Sequence, residues 1–343
     1  MPEMNDAFLK ACRREPAAHI PVWFMRQAGR SLPGYRKLRE TYDVLTLART
    51  PELAARVSLE PVARLGVDAA ILFADIMLLP ISMGIDVKIV DSIGPVIDEP
   101  LKAPADLAQL EPFSPARLEY LATTIKILRR ELKVPLIGFS AAPFTLASYL
   151  IEGRPTRTWA NTKRYMLEQP DAWDQLMSTL ANAIIQYLKL QIRAGAQAVQ
   201  LFDSWAGCLA PAHYRQFVLP HTKKIFESLK DENVPRLHFG TDTAGLLADF
   251  ANVDCEVIGL DWRIDLATAR RLIHPAKALQ GNLDPAVMLA SRPLIETQAA
   301  GLLAALPDRA GYIFNFGHGV LPATDDAKLK ALVDYIHAQP IQV

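Results

Sequence analysis

The sequence predicts an α/β protein built as a single (β/α)8 TIM barrel, and two observations lead to this expectation. Short apolar runs alternate with helix-like segments along the 343 residues. The runs are continuous rather than alternating with polar residues, as in parallel strands that helices cover. Eight such units favour a closed barrel, which normally needs roughly 200 to over 400 residues. We therefore expect one domain over residues 1–343, with its active site at the C-terminal ends of the strands.

The predicted strands are apolar runs, most of which end in a polar or glycine-containing turn. In chain order they cover 20–25, 70–73, 136–139, 198–202, 236–239, 257–260, 278–279 and 312–316, of which the seventh is the weakest. The clearest helical pattern is 171–196, where Leu and Ile recur every four residues. Two further helices, 115–132 and 211–229, begin at a proline, a favourable first helical residue.

An open, doubly wound sheet is the alternative fold. That fold usually carries a glycine-rich phosphate-binding turn after its first strand. Here the turn is residues 26–30, RQAGR, with one glycine and two arginines. The barrel is therefore favoured, and it predicts that the chemistry lies on residues just after the strands.

The charge balance excludes two classes of partner. The sequence has 37 Lys and Arg residues against 37 Asp and Glu residues, so its formal net charge is zero. Binding to nucleic acid or to an anionic membrane surface normally needs a basic face, so we expect neither. The uncharged stretch 134–151 is interrupted by prolines and glycine, which indicates strand, turn and helix rather than a membrane span.

The cysteines and motifs indicate the compartment and the cofactor class. Cys12, Cys208 and Cys255 are few, odd in number and far apart, so we expect no disulfide framework and a cytoplasmic location. A Walker-type loop is missing from the sequence, which leaves nucleotide triphosphate chemistry unsupported. No His-x-Cys element or His–carboxylate cluster has metal-ligand spacing, so we expect neither metal nor cofactor.

Positive charge is concentrated directly after the first predicted strand. Residues 26–39 contain five cations and no anion: Arg26, Arg30, Arg36, Lys37 and Arg39. A solvated basic loop would explain the charge alone. Its place after a barrel strand favours a site for carboxylate or phosphate, which the planar arginine side chain suits.

Other strand ends carry single polar candidates. Asp75 is a lone carboxylate among apolar residues, and it is either functional or a structural group paired with an arginine or backbone amides. Tyr149 could simply pack in the core. Ser204 lacks the preceding glycine of a nucleophile elbow, and Asp261 could cap a helix. The glycines on both sides of His318 would allow close approach of a ligand.

These strand-end residues together resemble the uroporphyrinogen decarboxylase family. The resemblance rests on two long blocks, residues 21–36 (PVWFMRQAGRSLPGYR) and 138–153 (GFSAAPFTLASYLIEG). It continues through FAD at 73–75, LFDS at 201–204 and NFGHG at 315–319. It implies a single (β/α)8 barrel that acts as a cytoplasmic homodimer without cofactor. The implied reaction removes four acetate carboxyl groups from uroporphyrinogen III, a tetrapyrrole, and gives coproporphyrinogen III.

The resemblance also assigns roles to matching residues. Asp75 corresponds to the family's central catalytic carboxylate. The substrate-binding loop matches Arg26, Gln27, Ala28, Gly29 and Arg30, with Arg39 as a further basic residue near the site. Tyr149, Ser204 and His318 match other substrate contacts. Asp203 stands where some members have Glu, which keeps the charge.

The residues fit decarboxylation without a cofactor. A protonated pyrrole is its own electron sink, and an anion at Asp75 would stabilise the cation. We expect nearby arginines to keep Asp75 ionised by lowering its pKa. Tyr149, His318 or a water molecule could supply protons. Met25, Phe73, Phe144 and Phe202 are expected to line the pocket.

Two other functions stay open. Related barrels move methyl groups between corrinoids and thiols with a zinc site that contains a His-x-Cys element. Here the corresponding residues are His238, Phe239 and Gly240, so the thiolate is missing. A non-catalytic tetrapyrrole-binding protein could use the same basic loop and apolar lining.

Overall fold

The structure of the chain is a computed structural model that describes residues 4–91, 93–306 and 308–341. Its main sheet contains parallel strands that neighbour one another in chain order, while β2 and β3 form a separate antiparallel hairpin. The strands are β1 (Ala70–Ile71), β2 (Lys88–Val90), β3 (Gly94–Val96), β4 (Leu136–Ala141), β5 (Ala198–Asp203), β6 (Arg236–Gly240), β7 (Val257–Gly259), β8 (Ala278–Gln280) and β9 (Tyr312–Ile313). The main sheet runs β1, β4, β5, β6, β7, β8, β9.

The segment 20–25 closes this sheet into a barrel. Val22 forms an isolated parallel bridge with Phe314, just beyond β9. On its other side, the Val22 carbonyl accepts a hydrogen bond from the amide of Asp68 at 2.8 Å, just before β1. The predicted first strand therefore has the right position, but the structure gives it one bridge instead of a ladder. The fold is the predicted α/β barrel.

Side chains inside the barrel hold the closing segment. The indole nitrogen of Trp23 donates to Oε1 of Gln280 at 2.9 Å. Nε2 of Gln280 then donates to Oε1 of Gln200 at 3.0 Å. This chain of hydrogen bonds crosses the barrel interior and ties the segment to β8 and β5.

The helices follow the predicted alternation with the strands. They are α1 (Ala7–Cys12), α2 (Pro33–Arg39), α3 (Val44–Arg49), α4 (Pro51–Leu65), α5 (Leu78–Ser82), α6 (Glu119–Glu131), α7 (Pro143–Glu152), α8 (Ala160–Glu168), α9 (Pro170–Ala194), α10 (Pro211–Phe217), α11 (Leu219–Ser228), α12 (Leu247–Phe250), α13 (Leu266–Leu272), α14 (Arg292–Ala304) and α15 (Asp326–His337). Within the described residues, none of them has both the length and the apolar character needed to cross a bilayer.

The predicted helices are confirmed with two adjustments. The four-residue repeat gives α9, which buries Leu176, Leu180 and Ile184. The predicted helix over 211–229 is divided into α10 and α11, because Pro220 lacks an amide hydrogen and cannot continue a helix. The segment from Pro115 begins as a 3-10 turn before α6.

Candidate active site

A pocket of about 280 Å³ lies at the C-terminal ends of the barrel strands, where the sequence predicts the chemistry. Most of its wall is apolar, which excludes water and strengthens electrostatic interactions inside. The polar lining residues are Arg26, Asp75, Tyr149, Ser204 and His318, and the rest of the wall includes Met25, Ala28, Ile71, Leu72, Phe73, Ala74, Ile76, Pro95, Phe139, Phe202, Phe239 and Gly319.

Asp75 follows β1 after the short segment 72–74 and reaches the pocket through a tight turn. Its Oδ1 accepts a hydrogen bond from the amide of Met77 at 2.8 Å, which fixes the carboxylate. Burial raises the pKa of Asp75, and the Met77 amide and the charge of Arg26 offset only part of that rise. The expected lowering by an arginine is present, but it does not set the net shift, because the apolar wall desolvates the carboxylate more than Arg26 stabilises it.

Arg26 enters the pocket from an unusual backbone conformation. Its φ is 60°, in the left-handed region that favours glycine. Its side chain lies across Gly319, where an added Cβ would overlap it. Two segments that are far apart in sequence therefore position this cation beside Asp75.

His318 is neutral at neutral pH. Burial, together with the positive charges of Arg26 and Arg263, lowers its pKa to about 4. The flanking glycines also have another role than the one expected from the sequence. A Cβ at Gly317 would overlap the backbone of Trp262, so this glycine allows close approach of another segment of the protein.

Tyr149 and Ser204 line the same wall. Tyr149, on α7, is 8% exposed, and its ring packs against Trp205 at a tilt of 30°, with centroids 4.1 Å apart. Burial and the nearby Asp75 raise the pKa of Tyr149, so its hydroxyl stays protonated. Ser204 directly follows β5, and its carbonyl accepts a hydrogen bond from the hydroxyl of Thr241.

Several residues expected at the site lie outside the lining. Gln27 is fully buried, where its Oε1 accepts from the Phe24 amide and its Nε2 donates to the Ala69 carbonyl, each at 2.9 Å. Arg30 is exposed and, with Gly29, does not line the pocket. Arg39 pairs with Asp91 at 2.8 Å.

Phe144 was predicted to line the pocket, but it lies outside the lining. It is fully buried and packs against Trp173, with the ring centroids 6.0 Å apart. It faces α9, away from the pocket, because it is the second residue of α7 rather than a strand residue. Phe73 and Phe202 line the pocket as predicted, together with Phe139 and Phe239, which the sequence placed on strands but did not single out.

Asp203 is a further buried carboxylate that sequence reasoning did not assign to the site. It is fully buried at the end of β5, and its Oδ1 accepts a hydrogen bond from Thr145 Oγ1 at 2.9 Å. Its Oδ2 has no hydrogen-bond partner among the described residues. Burial raises the pKa of Asp203 to about 7, although the Thr145 hydrogen bonds lower it.

Comparison with known proteins identifies the family. The family model described as uroporphyrinogen decarboxylase (URO-D) matches residues 3–339. The chain belongs to the uroporphyrinogen decarboxylase family. A uroporphyrinogen decarboxylase of Streptomyces coelicolor is 51% identical over 98% of this chain and 95% of its own length. The uroporphyrinogen decarboxylase of Bacillus subtilis is 48% identical over 97% of this chain and 95% of its own length.

Solved structures show that the fold is shared beyond the uroporphyrinogen decarboxylase family. A methyltransferase from Methanosarcina mazei superposes with a TM-score of 0.79 at 21% identity, over 97% of this chain and 98% of its own. A putative vitamin-B12-independent methionine synthase from Listeria monocytogenes superposes with a TM-score of 0.58 at 12% identity, over 93% of this chain and 95% of its own. At these identities the likeness concerns the barrel alone.

Proposed function

We propose that this chain decarboxylates the four acetate side chains of uroporphyrinogen III and releases coproporphyrinogen III and four CO2. Its family membership over almost the whole chain supports this reaction. The observation that carries the mechanism is a carboxylate, Asp75, fixed beside Arg26 in an apolar pocket at the barrel mouth.

The substrate supplies the electron sink in this mechanism. Protonation of a pyrrole carbon gives a cation, and cleavage of the bond between the acetate methylene and its carboxylate returns two electrons to the ring as CO2 leaves. A second proton then converts the methylene to a methyl group as the ring carbon loses its proton. Each acetate therefore consumes one proton in total. The protein has to stabilise the cation and deliver protons.

Asp75 is the group that stabilises the pyrrole cation. Its carboxylate is held by a backbone amide before the reaction, so it requires little reorganisation when the cation forms. The burial that raises its pKa also strengthens its attraction to a pyrrole cation. Pyrrole N–H groups that donate to Asp75 would favour its ionised form in the complex.

The positive groups orient the substrate carboxylates. Arg26 lines the pocket, while Arg30, which is exposed like Arg26, is placed outside the lining to meet the outer side chains of a tetrapyrrole. Gln27, Ala28 and Gly29 complete this binding loop, and Ser204 and His318 offer further substrate contacts from the pocket wall. Because His318 is neutral, we assign proton delivery to the Tyr149 hydroxyl or to a water molecule.

The decisive experiment is an anaerobic incubation of metal-free protein with chemically reduced uroporphyrinogen III, followed by chromatography of the seven-, six-, five- and four-carboxyl products. We expect four successive losses without added cofactor. Asp75→Asn should lower kcat by about 10²- to 10³-fold and leave substrate affinity within several-fold, because only the charge that stabilises the cation is lost.

Asp231→Asn is the matched control, since Asp231 is exposed and does not line the pocket. Its turnover should equal that of the unmodified chain. A wild-type rate in Asp75→Asn would show that Asp75 is not the charge stabiliser. Tight binding without turnover by the unmodified chain would favour the non-catalytic tetrapyrrole-binding function.

The described residues argue against the zinc-dependent methyltransferase alternative. His238 lies between its strand and the outer layer, where its ring stacks on Phe250 at 3.7 Å and its Nδ1 contacts the Phe250 carbonyl at 3.1 Å. Within the described residues, neither Cys208 nor Cys255 belongs to a group of three potential metal ligands.

We also propose that residues 1–343 form one domain that acts as a cytoplasmic homodimer. The three cysteines are unpaired, which agrees with a reducing compartment. The family resemblance supports the dimer. Sedimentation of the purified protein at micromolar concentration tests this assembly, and a monomer would contradict it.

A further inference from the structure

A His–Asp–His cluster lies at the opposite end of the barrel from the pocket. His19 precedes the closing segment, Asp68 precedes β1, and His337 is the last residue of α15. Because Asp68 and His19 come before the strands they introduce, the cluster is at the N-terminal ends of the strands. The three residues are far apart in sequence, so ligand spacing could not reveal them.

The three side chains converge on a single point. Nε2 of His19 lies 2.7 Å from Oδ1 of Asp68, and Nε2 of His337 lies 2.7 Å from Oδ2. The ligand atoms all lie within 4.8 Å of one another, and the imidazole centroids are 4.3 Å apart. Two imidazole nitrogens therefore face the two oxygens of one carboxylate.

The carboxylate is oriented by a second set of donors. The Asn5 side chain donates to Oδ1 at 2.8 Å and the Val22 amide donates to Oδ2 at 2.7 Å. Metal-binding carboxylates are commonly held by such outer contacts, which fix the ligand before the ion arrives. Asn5 and Val22 leave the remaining edge of the Asp68 carboxylate to the two histidines.

We propose that His19, Asp68 and His337 form a divalent transition-metal site suited to Zn²⁺. Two imidazole nitrogens and a carboxylate are a common zinc ligand set, with water in an open position. Zinc–ligand distances of about 2.0–2.2 Å set the N···O separations near 3.3 Å in a tetrahedral site. The observed 2.7 Å separations have to open by about 0.6 Å when zinc replaces the bridging protons, and the ligand atoms, which lie within 4.8 Å of one another, have to draw together around the ion.

The site is accessible from one side. The Asp68 side chain is 1% exposed, whereas those of His19 and His337 are 24% and 27% exposed. A hollow of about 360 Å³ opens beside His19 and gives an ion a route from solvent. The partly exposed imidazoles have room to move, while the buried carboxylate stays fixed.

Bound zinc would stabilise the barrel rather than take part in turnover. It would join the residue before the closing segment 20–25, the residues before β1 and the end of α15. Binding to the folded state alone raises the free energy of unfolding in proportion to the logarithm of the free zinc concentration. The site therefore predicts a zinc-dependent melting temperature, and this readout is independent of the decarboxylase proposal.

Zinc chloride titrated into EDTA-treated, dialysed full-length protein tests the proposal by calorimetry. We expect one saturable equivalent of zinc and a higher melting temperature. His337→Ala and His19→Ala should each weaken binding by roughly 100-fold or more, since each removes a ligand. His274→Ala is the control, because His274 is exposed and outside the cluster.

Substitution with Co²⁺ gives a second readout, since its visible spectrum reports nitrogen and oxygen ligands and their number. Failure of the unmodified chain to bind zinc stoichiometrically would overturn the proposal. Equal zinc affinity in both histidine variants and in the control would also overturn it. A loss of stability in the histidine variants that is the same in zinc and in EDTA would assign the cluster to hydrogen bonding alone.

Discussion

Arg26 depends on an uncharged neighbour for its place in the pocket. Its side chain lies over Gly319, and any side chain there would occupy the same space. Gly319→Ala should therefore displace the guanidinium while leaving its charge in the protein. We expect kcat/KM to fall by about 10- to 100-fold, which corresponds to a lost charge-assisted hydrogen bond of about 1.5–3 kcal/mol.

Gly301→Ala is the matched control for this substitution. Gly301 lies in α14, where an added Cβ meets nothing within 4 Å, and alanine favours a helix. This variant should keep full activity and gain slightly in stability. Steady-state kinetics on both variants check the prediction, and an unchanged kcat/KM in Gly319→Ala would remove Arg26 from substrate binding.

Asp203 makes the stability of the protein depend on pH. An aspartate in an unfolded chain has a pKa of about 3.9, whereas burial raises the pKa of Asp203 to about 7. Between these values only the folded state holds the proton, so the stability that Asp203 contributes at low pH is lost as the pH rises. Asp203→Asn should remove this loss and stabilise the protein above pH ~7 by up to about 4 kcal/mol.

Denaturant unfolding of Asp203→Asn and of the unmodified chain at pH ~5 and pH ~8 measures this effect. The difference in the free energy of unfolding should grow with pH, whereas Asp231→Asn should show no such trend. Asparagine keeps an oxygen that can accept the Thr145 hydroxyl, so the local contact is preserved. Parallel pH curves would show that Asp203 is not protonated in the folded state.

The helix α2 presents the basic loop and is anchored by a carboxylate from α4. The two oxygens of Glu60 accept hydrogen bonds from the amides of Gly34 and Tyr35, at 2.8 and 3.1 Å. They satisfy backbone donors that a helix N-terminus leaves free. Gly34 is required here, because a Cβ at this position would overlap the Glu60 carboxylate.

Glu60→Ala should therefore loosen α2 and the loop before it. We expect a loss of about 1–2 kcal/mol in the free energy of unfolding, as for a lost helix cap, together with a higher KM. Glu52→Ala is the control. It changes an exposed residue in the first turn of α4, the helix that also carries Glu60, and should have a much smaller effect on stability and on KM. Thermal unfolding and KM are the measurements, and an unchanged KM would separate α2 from substrate binding.

The sequence predicts elements best where they are long and uniformly patterned. The repeat in α9 and the buried strands β4, β5 and β6 need no information beyond their own residues. The hairpin of β2 and β3 was not predicted, because its strands are short and β2 is partly exposed. It nevertheless brings Pro95 to the pocket.

Contacts between distant segments account for the other differences between the predictions from the sequence and the structure. Gln27 belongs to the motif that carries the family resemblance, but it is buried because its amide completes backbone hydrogen bonds on both sides of the barrel closure. Motif membership therefore identified the loop but not the direction of each side chain. The pKa of Asp75 likewise depends on how completely the apolar wall surrounds it, which residue order does not reveal.

The barrel as a whole is closed by the segment that also carries the site. Only two residues separate Trp23, which is tied to Gln280 inside the barrel, from Arg26 in the pocket. Closure and substrate binding are therefore coupled through one short stretch of chain. On the opposite face, His19 and Asp68 hold the start of the same stretch.

Trp23→Phe tests this coupling, because it removes the indole donor and leaves the buried Gln280 oxygen without its partner. We expect a loss of about 1–3 kcal/mol in the free energy of unfolding and a lower kcat/KM. Trp173→Phe is the matched control, since that indole donates to the Phe217 carbonyl between outer helices. It should lower stability to a similar extent and leave kcat/KM unchanged. Equal kinetic losses in both variants would mean that Trp23 acts through global stability alone.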